Sequence, residues 1–396
     1  MRRAPIGIRR HLARLVSVSN TDVTATALTA SEAAQDRVGL TTAYRLLWLA
    51  VIFDILAFGF GFEWDRRWHA THPFEDFFSP PHLFVYSMHL CATLTLAYIA
   101  FTPDLRRWFG DAFALPPFPF PVPGAIALAG GGFVVTGLAG FLDGIWHTAF
   151  GLDETLWSFP HSILGWGLGI AFLGVASCRL ALARWKPIGP VSAAVFGFLL
   201  FSSSIERVPG PFMNNISPEV VRYIASIPVL AAEPAFQHTA RIYLAYDITR
   251  FNPLFVPLVA LGAGLAFGLL RRFDPRPLLV LGLGAFLTYT TTYVPLIVPA
   301  VALALRGTAT VGWRWWAFTG LLFGIATAII WDHPFTFGGA LLPAPLMVLG
   351  AAIADPIWRV VERPTRGGVL TFVTLAGICA PALTGVLDLA LRSRTP

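Results

Sequence analysis

The sequence predicts an all-α, polytopic membrane protein with roughly 9–11 transmembrane helices. The first observation behind this prediction is composition: 56% of the 396 residues are hydrophobic and 13% are charged, whereas a soluble domain carries about 25% charged residues. The second is a mean hydropathy of +0.66. The third is a series of apolar runs about 20 residues long, the length at which a helix crosses a bilayer.

The apolar runs define the predicted spans. They are roughly 43–62, 82–102, 123–142, 160–183, 188–205, 253–270, 277–305, 312–331, 339–358 and 368–391. Pro295 and Pro299 predict that the long run 277–305 breaks into two short helices or a re-entrant pair. This pattern divides the chain into an N-terminal arm (1–42), a repeated helical region (43–205), an outer loop (206–252) and a C-terminal transmembrane region (253–396).

Basic side chains predict the orientation, because loops on the cytoplasmic side carry an excess of Lys and Arg. Arginines precede the first span, and further basic residues follow the second, fourth and sixth spans. The chain is therefore predicted to lie in the inner membrane of a bacterium, with its N-terminus on the cytoplasmic side and the segments 65–82 and 143–161 on the outer side. It lacks the apolar region of a cleaved signal peptide. The net charge of +6 is interpreted as an orientation signal and as contact with lipid, not with nucleic acid.

Two segments repeat one pattern of acidic and histidine side chains. The first motif consists of Asp65, Trp68, His69, Ser79 and His82, and the second of Asp143, Trp146, His147, Ser158 and His161. In both, the Asp precedes the first His by four residues, and the second His follows after 13 or 14 residues. Each motif closes a helical hairpin at the predicted outer face, so the two hairpins form a parallel repeat near the N-terminus.

These residue types favour a metal site. A spacing of four puts Asp65 and His69 on one face of a helix, and His82 opens the next helix. Two imidazoles and one carboxylate occupy three metal positions and leave others open, as a catalytic metal requires. Such ligands suit copper, zinc, iron or nickel. The alternative is that the motifs are interface anchors, since amphipathic side chains collect where a membrane meets water.

Other polar residues carry weaker signals. Asp54 lies 11 residues before Asp65, about 16 Å deeper along a straight helix. It belongs either to a polar path beneath the site or to a bond with a neighbouring helix. His89 is expected to pack, Asp355 to be structural, and Trp331-Asp332-His333 is an isolated and weak match. The three cysteines lie in apolar stretches and are expected to pack as small hydrophobic residues.

At the two motifs the sequence resembles the C subunit of the copper membrane monooxygenases, the particulate methane and ammonia monooxygenase family. Asp65, His69 and His82 match that subunit's Asp-x3-His-x12-His copper motif. His147 and His161 match the histidines of its later Asn-x3-His-x13-His set, and Asp143 stands in place of the Asn. The resemblance covers roughly residues 43–183. It implies copper, oxygen chemistry on a small apolar substrate, and partner subunits or an electron donor in other chains.

Three functions remain open at this point. The first is a copper-dependent membrane oxidoreductase, or the metal-bearing subunit of one. The second is a transporter or metal-handling permease, with which the parallel repeat and Asp54 are compatible. The third is a non-catalytic subunit of a membrane complex that holds a structural zinc. The spans from the fifth onward, which begin at about residue 188, have no identified counterpart in the monooxygenase subunit, and Asp143 makes the second motif more anionic. Whether the chain is itself an enzyme is therefore left open.

Overall fold

The protein is built from helices. A computed structural model describes residues 36–69, 77–150, 159–205, 226–228, 232, 255–273, 312–330, 340–383 and 386. Its helices are α1 (36–69), α2 (Pro80–Phe101), α3 (Pro103–Arg106), α4 (Gly124–Phe150), α5 (Phe159–Ala183), α6 (Pro190–Ile205), α7 (Phe255–Phe273), α8 (Trp313–Ile330), α9 (Pro343–Glu362) and α10 (Arg366–Leu383). A 3₁₀ turn, Arg107–Phe109, and an antiparallel pair of strands, β1 (Ala112–Ala114) and β2 (Pro121–Pro123), connect α3 to α4.

This architecture confirms the predicted fold class. Within the described residues, six helices are long and apolar enough to cross a membrane: α1, α2, α4, α5, α9 and α10. Helices α6, α7 and α8 occupy the predicted spans at 188–205, 253–270 and 312–331. The predicted arm up to residue 35, most of the outer loop 206–252, the run 277–305 and Trp331-Asp332-His333 lie outside the described residues.

Helix α2 illustrates how a spanning helix divides its surface. Leu83, Leu90 and Leu94 are exposed on one side, while Ala92 and Leu96 are buried on another. Both faces are apolar, which is the composition of a helix surrounded by lipid on one side and by protein on the other. The exposed apolar face is therefore the surface that contacts lipid in a membrane.

Helices α4 and α5 approach each other closely because glycines remove side chains from their crossing. A Cβ atom on Gly132 would lie 2.1 Å from the Ala171 nitrogen, and one on Gly174 would lie 2.2 Å from the Ala129 nitrogen. Small residues at helix crossings let membrane helices gain van der Waals contact that larger residues would prevent. This tight pair holds the second motif, which lies at the end of α4 and the start of α5.

The two ends of the bundle differ in charge. At one end, called the basic end, Arg107 forms an ion pair with Asp36 at the start of α1, and Trp108 packs against Trp185 after α5. The start of α4 lies at this same end, where Gly124 meets the loop between α9 and α10. Basic side chains cluster there: Arg106, Arg107, Arg184, Lys186, Arg359, Arg363 and Arg366. The opposite end, called the motif end, carries both Asp/His motifs.

Candidate metal centre

The first motif brings its Asp and its second His into contact. Asp65 lies in the last turns of α1, and His82 lies in the first turn of α2. The Asp65 Oδ1 and His82 Nε2 atoms are 3.1 Å apart, and both side chains are largely buried. Pro80 and Pro81 begin α2, where the first backbone N–H groups need no helical partner. The helix start thereby fixes the position of the imidazole.

The second motif repeats this relation in the next hairpin. Asp143 is buried near the end of α4, and His161 lies in the first turn of α5. The distance from Asp143 Oδ1 to His161 Nδ1 is 3.5 Å. In both motifs the carboxylate at the end of one helix thus meets the second histidine at the start of the next. The contacting ring nitrogen differs, Nε2 in His82 and Nδ1 in His161.

These distances are compatible with a shared metal ion as well as with a direct pair. Two ligand atoms that each lie about 2.1 Å from a tetrahedral metal are about 3.4 Å apart. The observed separations of 3.1 and 3.5 Å lie close to that value. Carboxylate oxygen and imidazole nitrogen are also ordinary ligands of copper, zinc and iron. The pairs therefore meet two requirements of a metal site, donor type and donor spacing.

The first histidine of each motif is placed only by its backbone. His69 is the last residue of α1 and His147 lies in the last turn of α4, but their side chains lie outside the described part of the structure. Among the described side chains, no group of three or more His, Cys, Asp or Glu residues is arranged to hold a metal. The three-ligand sets therefore remain predictions, and the structure shows two members of each.

Ser79 adds a polar group beside the first pair. It precedes α2, its side chain is only 6% exposed, and it makes no capping hydrogen bond to the helix. Within the described residues its Oγ atom has no hydrogen-bond partner. Because a buried hydroxyl without a partner is costly, this atom suits a ligand, a water molecule or an outer group of a metal site. Ser158, its counterpart in the second motif, lies outside the described residues.

An aromatic contact joins the two motifs. His82 stacks on Tyr86 with ring centroids 5.7 Å apart, and Tyr86 packs against Phe77 at 4.9 Å. Phe77 then covers Gly144, the residue after Asp143, where a Cβ atom would lie 2.8 Å from the phenyl ring. Tyr86 also lies 3.7 Å from the Cβ position of Gly140. The two acid–histidine pairs are thus neighbours across Tyr86 and Phe77.

A third pair of the same type lies deeper in the bundle. Asp54 of α1 and His89 of α2 are both buried, with Asp54 Oδ1 3.4 Å from His89 Nδ1. Two interpretations of Asp54 were open, a polar path beneath the site or a bond with a neighbouring helix. The contact with His89 is a bond with a neighbouring helix. His89 packs as expected, with its ring against Phe58 and Phe133, but it is also the partner of Asp54. Asp355, expected to be structural, forms an ion pair with Arg272.

Sequence reasoning missed the residues that connect the motifs. A signal for Tyr86 exists, because it follows His82 by four residues and so shares its helix face. Phe77 and Gly144 have no local signal, since their contact depends on how the second hairpin packs against the first. The His89 partner of Asp54 was also missed. It follows His82 by seven residues, two turns along the same face.

Comparison with known proteins identifies no relative of this chain. No family model, no curated protein and no solved structure is significantly similar to the chain. The description therefore rests on the structure itself. Its described residues form an all-α, multi-pass membrane protein with three buried or largely buried acid–histidine pairs.

Proposed function

We propose that the protein is a membrane metalloprotein in which the two motifs hold metal ions at the outer face. The single observation that carries this proposal is the repeated contact between Asp and the second His, made in the same relation by two hairpins at the same end of the bundle. Ionisable groups inside a membrane protein are costly and are usually retained for function. Interface anchors would not need a carboxylate that reaches an imidazole on the next helix.

The proposed metal sets are Asp65, His69 and His82 in the first site and Asp143, His147 and His161 in the second. Copper is the proposed metal because of the resemblance to the monooxygenase C subunit; zinc and iron share the same ligand types. When bound, copper would supply oxygen activation in such a site. The chain's own residues would orient the ligands, and aromatic side chains at the motif end, such as Phe60 and Phe84, would offer an apolar environment to a small substrate.

The orientation of this site is part of the proposal. Basic side chains cluster at the end opposite to the motifs, which supports a cytoplasmic basic end and an outer motif end. In a bacterium this places both sites on the outer side of the inner membrane. Any electron donor and partner subunits would reach them from that side or through the bilayer.

The test is elemental analysis with electron paramagnetic resonance on the purified full-length protein. Copper with nitrogen hyperfine structure is expected, and His69→Ala and His147→Ala should each reduce the signal. His72→Ala is the matched control, because it changes a histidine that lies three residues after His69 in the sequence and belongs to neither motif. Transition metal absent from a folded protein, or present equally in all variants, would contradict the proposal.

A transporter is the second candidate, and the Asp54–His89 pair favours it. A buried acid–histidine pair between two helices is a feature of proton relays in transporters. The discriminating experiment is metal uptake into sealed proteoliposomes with the wild-type protein and with Asp54→Asn. Uptake that depends on Asp54 supports transport. A protein that binds copper in its motifs and moves none across the membrane supports the oxidoreductase.

A further inference from the structure

The deep pair, Asp54 and His89, has a geometry of its own that the motifs do not explain. Asp54 is 2% exposed and His89 is 9% exposed, between helices α1 and α2. The other side of the imidazole faces α4, where His89 Nε2 lies 3.3 Å from the Phe133 carbonyl oxygen. Both ring nitrogens of His89 therefore face oxygen atoms, Nδ1 the Asp54 carboxyl group and Nε2 the carbonyl.

These two oxygen partners restrict where protons can reside. A backbone carbonyl only accepts hydrogen bonds, and an ionised carboxylate also only accepts. A neutral imidazole has one N–H and one lone pair. If Asp54 were ionised and His89 neutral, one nitrogen lone pair would face an oxygen lone pair, whichever tautomer formed. That arrangement is repulsive, and it leaves a net negative charge in an apolar interior.

One additional proton removes the conflict in either of two ways. It can make His89 an imidazolium that donates to both oxygens. Alternatively, it can reside on Asp54, whose hydroxyl then donates to Nδ1 while Nε2–H donates to the Phe133 carbonyl. The two arrangements contain the same number of protons, and both leave the pair neutral overall. A neutral, hydrogen-bonded pair is the form that burial between helices favours.

We propose that Asp54 and His89 form a proton-binding site that holds one proton in the interior of the helical bundle. The site lies inward of the first motif on the same two helices, since Asp54 precedes Asp65 and His89 follows His82. Between Asp54 and Asp65, the segment Leu56–Gly61 is π-helical, a distortion that is frequent at functional sites. The proton is held close to the proposed metal site, and holding it requires no bound metal.

The surroundings of the pair are apolar. The rings of Phe58 from α1 and Phe133 from α4 pack on the imidazole, and Thr93 donates its hydroxyl to the His89 carbonyl. The other ionisable side chains on the three enclosing helices are Asp36, Arg37, Tyr44, Arg45, Glu63, Asp65, Arg66, Arg67 and His69 on α1, His82, Tyr86, Cys91 and Tyr98 on α2, and Asp143 and His147 on α4. Within the described residues, the polar side-chain contacts of the pair are the one between Asp54 and His89 and the one between His89 and the Phe133 carbonyl oxygen.

The experiment counts the protons on the pair in the full-length protein at neutral pH. Nuclear magnetic resonance of ¹⁵N-histidine reports how many nitrogens of His89 carry a proton, and infrared spectroscopy reports whether Asp54 is a carboxylic acid. The expected result is either a doubly protonated His89 or a protonated carboxyl band. Asp54→Asn assigns these signals, because it keeps the shape of the side chain; it should abolish the acid band and leave a neutral imidazole. Asp104→Asn, at an exposed acid, should change neither.

A His89 with one N–H beside an ionised Asp54 would overturn the proposal. The wild-type spectra decide this even if Asp54→Asn does not fold, and His89→Gln then provides the assignment. Metal content separates this proposal from the preceding one. Asp54→Asn should lose the proton and retain the copper of the wild-type protein. Conversely, a wild-type protein that binds no metal can still hold the proton, so the two proposals can fail independently.

Discussion

At the scale of single residues, the two motifs share a contact that their sequence only partly predicts. Helical spacing indicated that Asp65 and His69 lie on one face, and the hairpin placed His82 nearby. The direct contact of Asp65 with His82, and of Asp143 with His161, depends on the orientation of two helices and on a prolyl helix start. Spacing along the sequence contains no information on that orientation, so these two contacts could be identified only from the structure.

The Asp65–His82 contact should be energetically coupled. Asp65→Ala and His82→Ala each remove one side chain of this largely buried polar contact, which costs about 1–3 kcal/mol. The double variant should therefore lose less stability than the sum of the two single losses. Thermal unfolding of the four metal-free proteins in detergent measures the coupling. Strictly additive losses would show that the two side chains do not interact.

At the scale of helices, distortions and glycines position the motifs. The π-helical segment of α1 means that the straight-helix estimate for Asp54 does not describe its depth or direction, because a change in hydrogen-bond spacing rotates all residues that follow. Apolar runs predicted where the helices lie. They did not predict the π-helical segment, or which glycines lie at a crossing, because both depend on the neighbouring helix.

The α4–α5 crossing gives a prediction for Gly132. Gly132→Ala should destabilise the protein by about 1–3 kcal/mol, because the added methyl group meets the backbone of Ala171 and the helices must separate. Gly130→Ala is the matched control: it lies on the same helix, and a Cβ atom there meets nothing within 4 Å. The control should be neutral or stabilising by about 0.5–1 kcal/mol. Equal unfolding temperatures for both variants would argue against the close crossing.

The contact between the motifs gives a prediction for Gly144. Gly144→Ala places a methyl group against the ring of Phe77, so the ring must move, and with it the aromatic stack on Tyr86 and His82. We expect weaker metal binding at the first site, although the substitution lies in the second hairpin. Gly137→Ala, where a Cβ atom meets nothing within 4 Å, is the control. Metal titrations that give the same affinity for both variants would show that the hairpins act separately.

At the scale of the whole molecule, composition predicted more than it did at smaller scales. The all-α fold follows from the apolar runs, because a chain in lipid must satisfy its backbone hydrogen bonds internally and a run of about 20 apolar residues has the length of a spanning helix. The grouping of basic side chains at one end follows from their positions between apolar runs. The neighbouring arrangement of the two hairpins did not follow, because a parallel repeat is compatible with several packings.

Sidedness can be measured by labelling with a thiol reagent that does not cross membranes. In a background without Cys91, Cys178 and Cys379, Phe78→Cys should react in intact cells, because Phe78 is 67% exposed at the motif end. Asp104→Cys, at the basic end, should react only after the membrane is permeabilised. The reverse pattern would invert the proposed orientation.

The central claim, that each motif holds its own metal ion, is tested most directly by counting bound copper in four proteins. They are the wild type, the variant with Asp65→Asn and His82→Ala, the variant with Asp143→Asn and His161→Ala, and the protein with all four changes. We predict two sites in the wild type, one in each variant with two changes and none in the last, with all four proteins folded. The same copper content in all four folded proteins would contradict the claim and return the motifs to interface anchors.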